Sequence, residues 1–190
     1  FDKACSNYVP NGVLGKVLLQ NFMEIGTPRP DEQEMRLAGE IQNTLTAQDI
    51  AGDLQMAADF MGGEGKDLLK SLNQALLSDV ILPCVSSPKL LAGSTDVGDV
   101  SWIMPTAQLC VACSVFGTPG HSWQVVSQSA TTFAHKGMLT AAKVMARTVV
   151  DILENPSIVA AAQEELKETL NGAEYVCPIP TGVKPKLAKS

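Results

Sequence analysis

Two histidines in 190 residues are few, and neither has a second histidine at helical spacing, so no H-x-x-x-H metal pair exists. There is no G-x-S-x-G elbow, so a serine hydrolase of that pattern is excluded. No apolar run approaches the roughly 20 residues that cross a bilayer, and no membrane partner is expected. Basic stretches are also missing. Lys and Arg total 14 against 20 Asp and Glu, a net charge of -6, which argues against a nucleic-acid partner. The opening FDKACSNYVPN lacks the charged-then-apolar pattern of a secretory signal and begins without methionine, as the middle of a longer chain would.

Cysteine is present five times (Cys5, Cys84, Cys110, Cys113, Cys177), an odd and scattered set that suits a reducing cytosol better than a disulfide framework. A cytoplasmic location is expected. Cys110 and Cys113 form C-x-x-C inside LCVACSVF, with no turn between them and no second pair. Packing as small hydrophobes is the reading preferred over zinc or redox work. The sequence GGEGKD has the look of a phosphate loop but places Asp67 where a magnesium-holding Ser or Thr is required.

What is present is a 45% hydrophobic fraction, enough for one domain spanning 1–190 with its own core. Apolar residues recur at helical spacing from Asn11 to Ile25 and again through Met35, Ala38, Ile41 and Leu45. Asp31 and Glu34 have capping-box spacing. A helix is expected over 66–77 and a long one beyond Gly137. Asn155-Pro156 starts a further helix that Gly172 ends. Residues 46–66, where AADFM could form a short helix before the GGEG break, and 86–95 read as loops, and 180–190 as a tail. The segments 80–85, 100–104, 109–116 and 175–179 read as strands. Strands interleaved with amphipathic helices predict a layered α/β domain.

The chemistry-bearing residues gather between Gly93 and Ala142. His121 follows a predicted strand in a Gly/Pro turn, where an imidazole can ligate a metal or simply be exposed. His135 stands at the entry to the long helix and either meets a substrate or packs. Ser94, Thr95 and Asp96 either satisfy backbone donors in a turn or form a nest for a substrate carboxylate or oxyanion. No catalytic acid or base is identified from spacing.

The ordered series GSTDVGDVSW, PTAQ, GTPGHSWQ, AHKGM and NPSIVAAAQEELKETLNG resembles the C-terminal part of the M20 metallopeptidase/amidohydrolase family. That resemblance implies an α/β/α sandwich of which this chain is the second half, without the lid and dimerisation domain. It implies hydrolysis of N-acyl amino acid amides such as p-aminobenzoyl-glutamate at two divalent cations, zinc or manganese. Such cations polarise the carbonyl and activate a bridging water. His121 matches the family's last metal ligand. Ser94, Thr95 and Asp96 match its substrate loop, and His135 is the further substrate-binding candidate. Asp99 and Trp102 match the subfamily's extension without an assigned role.

The family's remaining ligands and general-base glutamate lie in a first half that this sequence does not contain. The expected partners are a small N-acyl amino acid, the missing N-terminal half or a companion subunit, and further copies of the chain in a homo-oligomer. On its own the chain is expected to be inactive. The alternative is a non-catalytic assembly module that keeps only the scaffold.

Overall fold

The computed structural model describes residues 4–61, 66–83 and 95–184. Asn11, after Pro10, starts α1 (Gly12–Ile25): its Oδ1 accepts from the Leu14 amide at 3.0 Å. Glu165, from the far end of the chain, accepts from the Gly12 and Val13 amides at 2.9 and 2.8 Å. Two more open donors of the first turn are thus satisfied. Gly26, at φ +80, ends the helix while its amide reaches Phe22 O.

The expected capping box opens α2 (Glu32–Gln42), with Asp31 accepting from the Gln33 and Glu34 amides and Glu34 accepting from the Asp31 amide. A second box, Thr46 with Asp49, opens α3 (Ala47–Phe60) inside the stretch 46–66 that reads as a loop. The loop expectation is corrected there: T-x-x-D supplies the same reciprocal bonds as the better-known S/T-x-x-E. Two short helices, α4 (Lys66–Gln74) and α5 (Val97–Ser101), precede α6 (Trp123–Gln128). The long α7 (Thr132–Glu154) and α8 (Pro156–Leu170) complete the order. Asn155 does not cap α8 with its side chain, which instead donates to Asp151 O at the end of α7.

The layered α/β/α sandwich expected from the sequence is overturned: among the described residues every regular element is a helix and none is a strand. Of the expected strand 100–104, residues 100 and 101 close α5 and the rest is turn. Leading into LCVACSVF the burial alternates over residues 107–111, whereas 111–114 are uniformly half-buried. Ala107, Leu109 and Val111 pack on one core cluster and Val115 belongs to another, while Gln108 and Cys110 are exposed. A sheet, however, needs a neighbouring ladder. Residues 107–114 make no backbone hydrogen bond among the described residues. Apolar periodicity reports which side chains face inward, not whether a partner strand lies alongside. Residues 84–94, including part of the second expected loop, and 185–190 of the tail lie outside the described residues.

Helix α1 packs against both α7 and α8. Leu18 and Phe22 of α1 meet Val144 of α7, with Ile81, Ala107, Leu109 and Val111 around them. Burying each such large side chain stabilises the fold by about 1.5–3 kcal/mol. Asn21 crosses the same interface, donating to Thr148 Oγ1 at 3.1 Å and Asp151 Oδ2 at 2.7 Å. The second cluster joins Ala38 of α2 to Val115, Phe133 and Ala134. These two clusters fix the segment 105–121 between α1, α2 and α7, and so set where its closing turn points.

Candidate functional site

The turn that carries His121 is held from three sides. The Phe116 amide donates to Leu76 O at 2.8 Å, and the Gly117 amide to Asp53 Oδ2 at 2.8 Å. Gly117 has φ +86 and lies so close to Ile50 that an added Cβ would sit 2.8 Å from Ile50 Cγ1. Gln128, wholly buried, accepts from the Val115 amide at 2.7 Å and donates to Thr118 Oγ1 at 3.0 Å and Gln124 O at 3.1 Å. Thr118 in turn donates to Val115 O. His121 stands at the exposed tip with φ 60, a left-handed conformation uncommon outside glycine. Ser122 then caps α6 through the Val125 amide. A strained, exposed imidazole on a braced turn is the kind of outlier from which a functional hypothesis starts.

The GSTDVGDVSW stretch divides into two parts. Ser94 lies outside the described residues; Thr95 and Asp96 are exposed. Thr95 Oγ1 accepts from the Val97 amide at 3.3 Å, while Asp96 stands at the N-cap of α5 without a side-chain capping bond. The remainder fastens the N-terminal segment. Asp99 Oδ1 accepts from the Ser6 amide at 3.1 Å and Ser6 Oγ at 2.7 Å. Ser101 Oγ accepts from the Val9 amide at 2.8 Å, and the Trp102 indole donates to Asn7 O at 2.8 Å.

Gly98 completes that contact: an added Cβ would fall 2.2 Å from Ser6 O. The Ser6 hydroxyl bond holds the Asp99 carboxyl below its usual range, helped by the Ser6 amide and Tyr175. Desolvation, with bonds to Cys177 and Asp99, pushes the Tyr175 phenol up to about 12. Asp99 and Trp102, without a role from the sequence, are thus fasteners in this structure.

AHKGM divides in the same way. His135 is exposed in the first turn of α7. Its neighbour Lys136 donates to Glu34 Oε2 at 2.5 Å and to Arg29 O at 3.2 Å, tying α7 to the start of α2. Glu34 is only 3% exposed. Burial raises its carboxyl, but bonds from Lys136, Thr132 and the Asp31 amide outweigh that and leave it below the ordinary value. The Glu34 bond raises Lys136 in turn. Gly137 allows close approach, since a Cβ there would lie 2.3 Å from Ala112 O.

His121, His135, Thr95 and Asp96 are all exposed, and no hydrogen bond or ion pair among the described residues joins one to another. Hollows against the outer face of α1 and beside the Pro28–Pro30 link are lined by none of them. No group of three or more His, Cys, Asp or Glu among the described residues could hold a metal ion. The described residues therefore do not by themselves fit the two-cation site that the resemblance implies, because a catalytic metal needs about three protein ligands. Cys110 is exposed rather than packed, whereas Cys113 is half-buried and burial raises its thiol. Sequence reasoning missed Gln128, Asp53 and the Glu34–Lys136 pair. Only the last had a local signal, in the capping box and the AHKGM motif.

No family model and no solved structure matches the chain. A curated protein does: over 189 residues the chain is 41% identical to one subunit of the p-aminobenzoyl-glutamate hydrolase of Escherichia coli (strain K12). The match covers 100% of this chain and 39% of that protein. The resemblance carried by GSTDVGDVSW, GTPGHSWQ and AHKGM thus extends over the whole chain, which is similar throughout to part of this hydrolase and spans well under half the length of the matching protein.

Proposed function

We propose that this chain is the C-terminal portion of a metal-dependent amidohydrolase of the M20 type, acting on N-acyl amino acid amides such as p-aminobenzoyl-glutamate. The observation that carries the reading is the 41% identity, along the entire chain, to the Escherichia coli p-aminobenzoyl-glutamate hydrolase protein. In this reading His121 contributes one imidazole, from its braced turn, to a site whose other ligands come from outside these residues. Zinc or manganese, when bound there, would supply a polarised carbonyl and an activated water. Thr95 and Asp96, with Ser94, form the substrate loop, and His135 adds a contact. The chain by itself is inactive, and the complete enzyme is a homo-oligomer or works with a companion subunit.

Two measurements test this. In the full-length Escherichia coli relative, alanine at the position matching His121 abolishes hydrolysis of p-aminobenzoyl-glutamate while the circular dichroism spectrum is unchanged. Undiminished hydrolysis removes His121 from the site. The 190-residue chain alone gives substoichiometric metal and no hydrolysis; turnover by it would refute the divided site.

A second reading is a non-catalytic assembly module. It is favoured by the fastening role of Gly98, Asp99, Ser101 and Trp102 within the motif that otherwise suggests substrate binding. Full activity of the relative after alanine replacement at the positions matching Thr95, Asp96, His121 and His135 would select it.

A further inference from the structure

Helix α7 is apolar on two sides. One side, through Phe133, Gly137, Val144 and Thr148, is buried in the fold. On another, Met138, Ala142, Met145, Val149 and Leu153 recur at three- and four-residue steps and stand in solvent. Met138 is 57% exposed, Met145 51%, Val149 54% and Leu153 75%. Leu139, Ala146 and Val150 widen this face. The charged residues Lys136, Lys143, Arg147 and Glu154 keep to their own line along the helix. A helix with apolar stripes on both sides is the pattern of an element buried on both. No helix among the described residues is long and apolar enough to cross a membrane. His135 shares the exposed face, one turn before Leu139.

We propose that this face of α7 is an interior surface of the larger protein. Its cover is the polypeptide corresponding to the part of the p-aminobenzoyl-glutamate hydrolase relative that has no counterpart in this chain. The occupant follows from length: the chain matches 39% of that relative, so more than half of the relative lies outside it and has to pack somewhere. An uncharged apolar face running the length of α7 is a surface suited to a polypeptide core. Covering it also encloses His135, which would turn an exposed imidazole into one lining a boundary between the two parts. The proposal rests on the reading of the chain as a portion of that kind of hydrolase, and names where the remainder docks.

The test compares thiol accessibility in two intact proteins. Val149→Cys is made in this chain, and cysteine is placed at the matching position of the full-length Escherichia coli relative. Each is treated with a maleimide, and the labelled peptide is identified by mass so that Cys110 and Cys177 do not confuse the reading. The chain labels at the rate of an exposed thiol. In the relative the same position labels slower by on the order of 100-fold, because reaction must await local opening. Equal rates in the two proteins overturn the proposal.

Labelling of the chain is repeated at rising protein concentration, with and without Met145→Glu. Protection that grows with concentration and disappears in the Met145→Glu variant assigns the face to a second copy, and also overturns the proposal. Neither readout uses hydrolysis. A relative that protects the face but keeps full activity without the residue matching His121 would sink the functional reading and leave the docking surface standing.

Discussion

Two glycine-to-alanine substitutions in helices of this chain are expected to move stability in opposite directions. Alanine at a helix-interior glycine gains about 0.8–1 kcal/mol of intrinsic propensity. At Gly52, in α3, an added Cβ meets nothing within 4 Å, so that gain is realised. At Gly137, in α7, the Cβ would lie 2.3 Å from Ala112 O and 2.7 Å from Cys113 Sγ. The sulfur can rotate, but the carbonyl belongs to backbone held between core residues, and Val115 just beyond is tied to Gln128.

Overpacking of this kind costs about 1–3 kcal/mol, and a backbone obstacle places Gly137→Ala at the top of that range. After the propensity gain the net effect is about 2 kcal/mol destabilising. For a chain of this size that lowers Tm by roughly 4–8 °C, whereas Gly52→Ala raises it by roughly 2–4 °C. Thermal unfolding followed by circular dichroism measures both. A Gly137→Ala protein as stable as the parent would refute the close-approach account of the AHKGM glycine, and with it the assignment of that motif to packing.

Gln128→Ala removes two of the bonds that brace the His121 turn and leaves the buried Val115 amide without its acceptor. Urea unfolding should show a loss of about 1–3 kcal/mol. Glu34 has a folded-state pKa below its unfolded value, so its contribution is fully present above the unfolded value and is lost as pH falls through the folded one. Acid titration of stability should therefore fall more steeply in the parent than in Glu34→Gln; parallel curves would contradict the ion-pair assignment. Cys110 should react with a thiol reagent well before Cys113, whose thiol is raised by burial. Equal, rapid reaction of both would revive a redox reading of C-x-x-C.

Helices α1, α2 and α8 were legible because their ends are chemically marked. Asn11, the Asp31–Glu34 box and Pro156 each announce a boundary within four residues, and the structure uses all three. LCVACSVF misled because an apolar run records burial on both faces, and a run held between two core clusters is buried as an interior strand is, with no ladder beside it among the described residues. The candidate site was legible in part. His121 falls at the tip of a Gly/Pro turn, as GTPGH suggests, but the hold on that turn comes from Asp53 and Gln128, which no local pattern links to it. Asp99 and Trp102 act on Ser6 and Asn7, more than 90 residues away, so their fastening role could not be read from spacing.

The clasp between Glu165 and the first amides of α1 gives the two ends of the chain a common fate. Asn11 reinforces it by donating to Ala162 O at 2.9 Å, so α8 closes the opening turn of α1 across some 150 residues. Cutting the chain after Asn155 would therefore fray its beginning as well as remove its end. The protein should melt in one step, with no stage at which either terminus has let go alone.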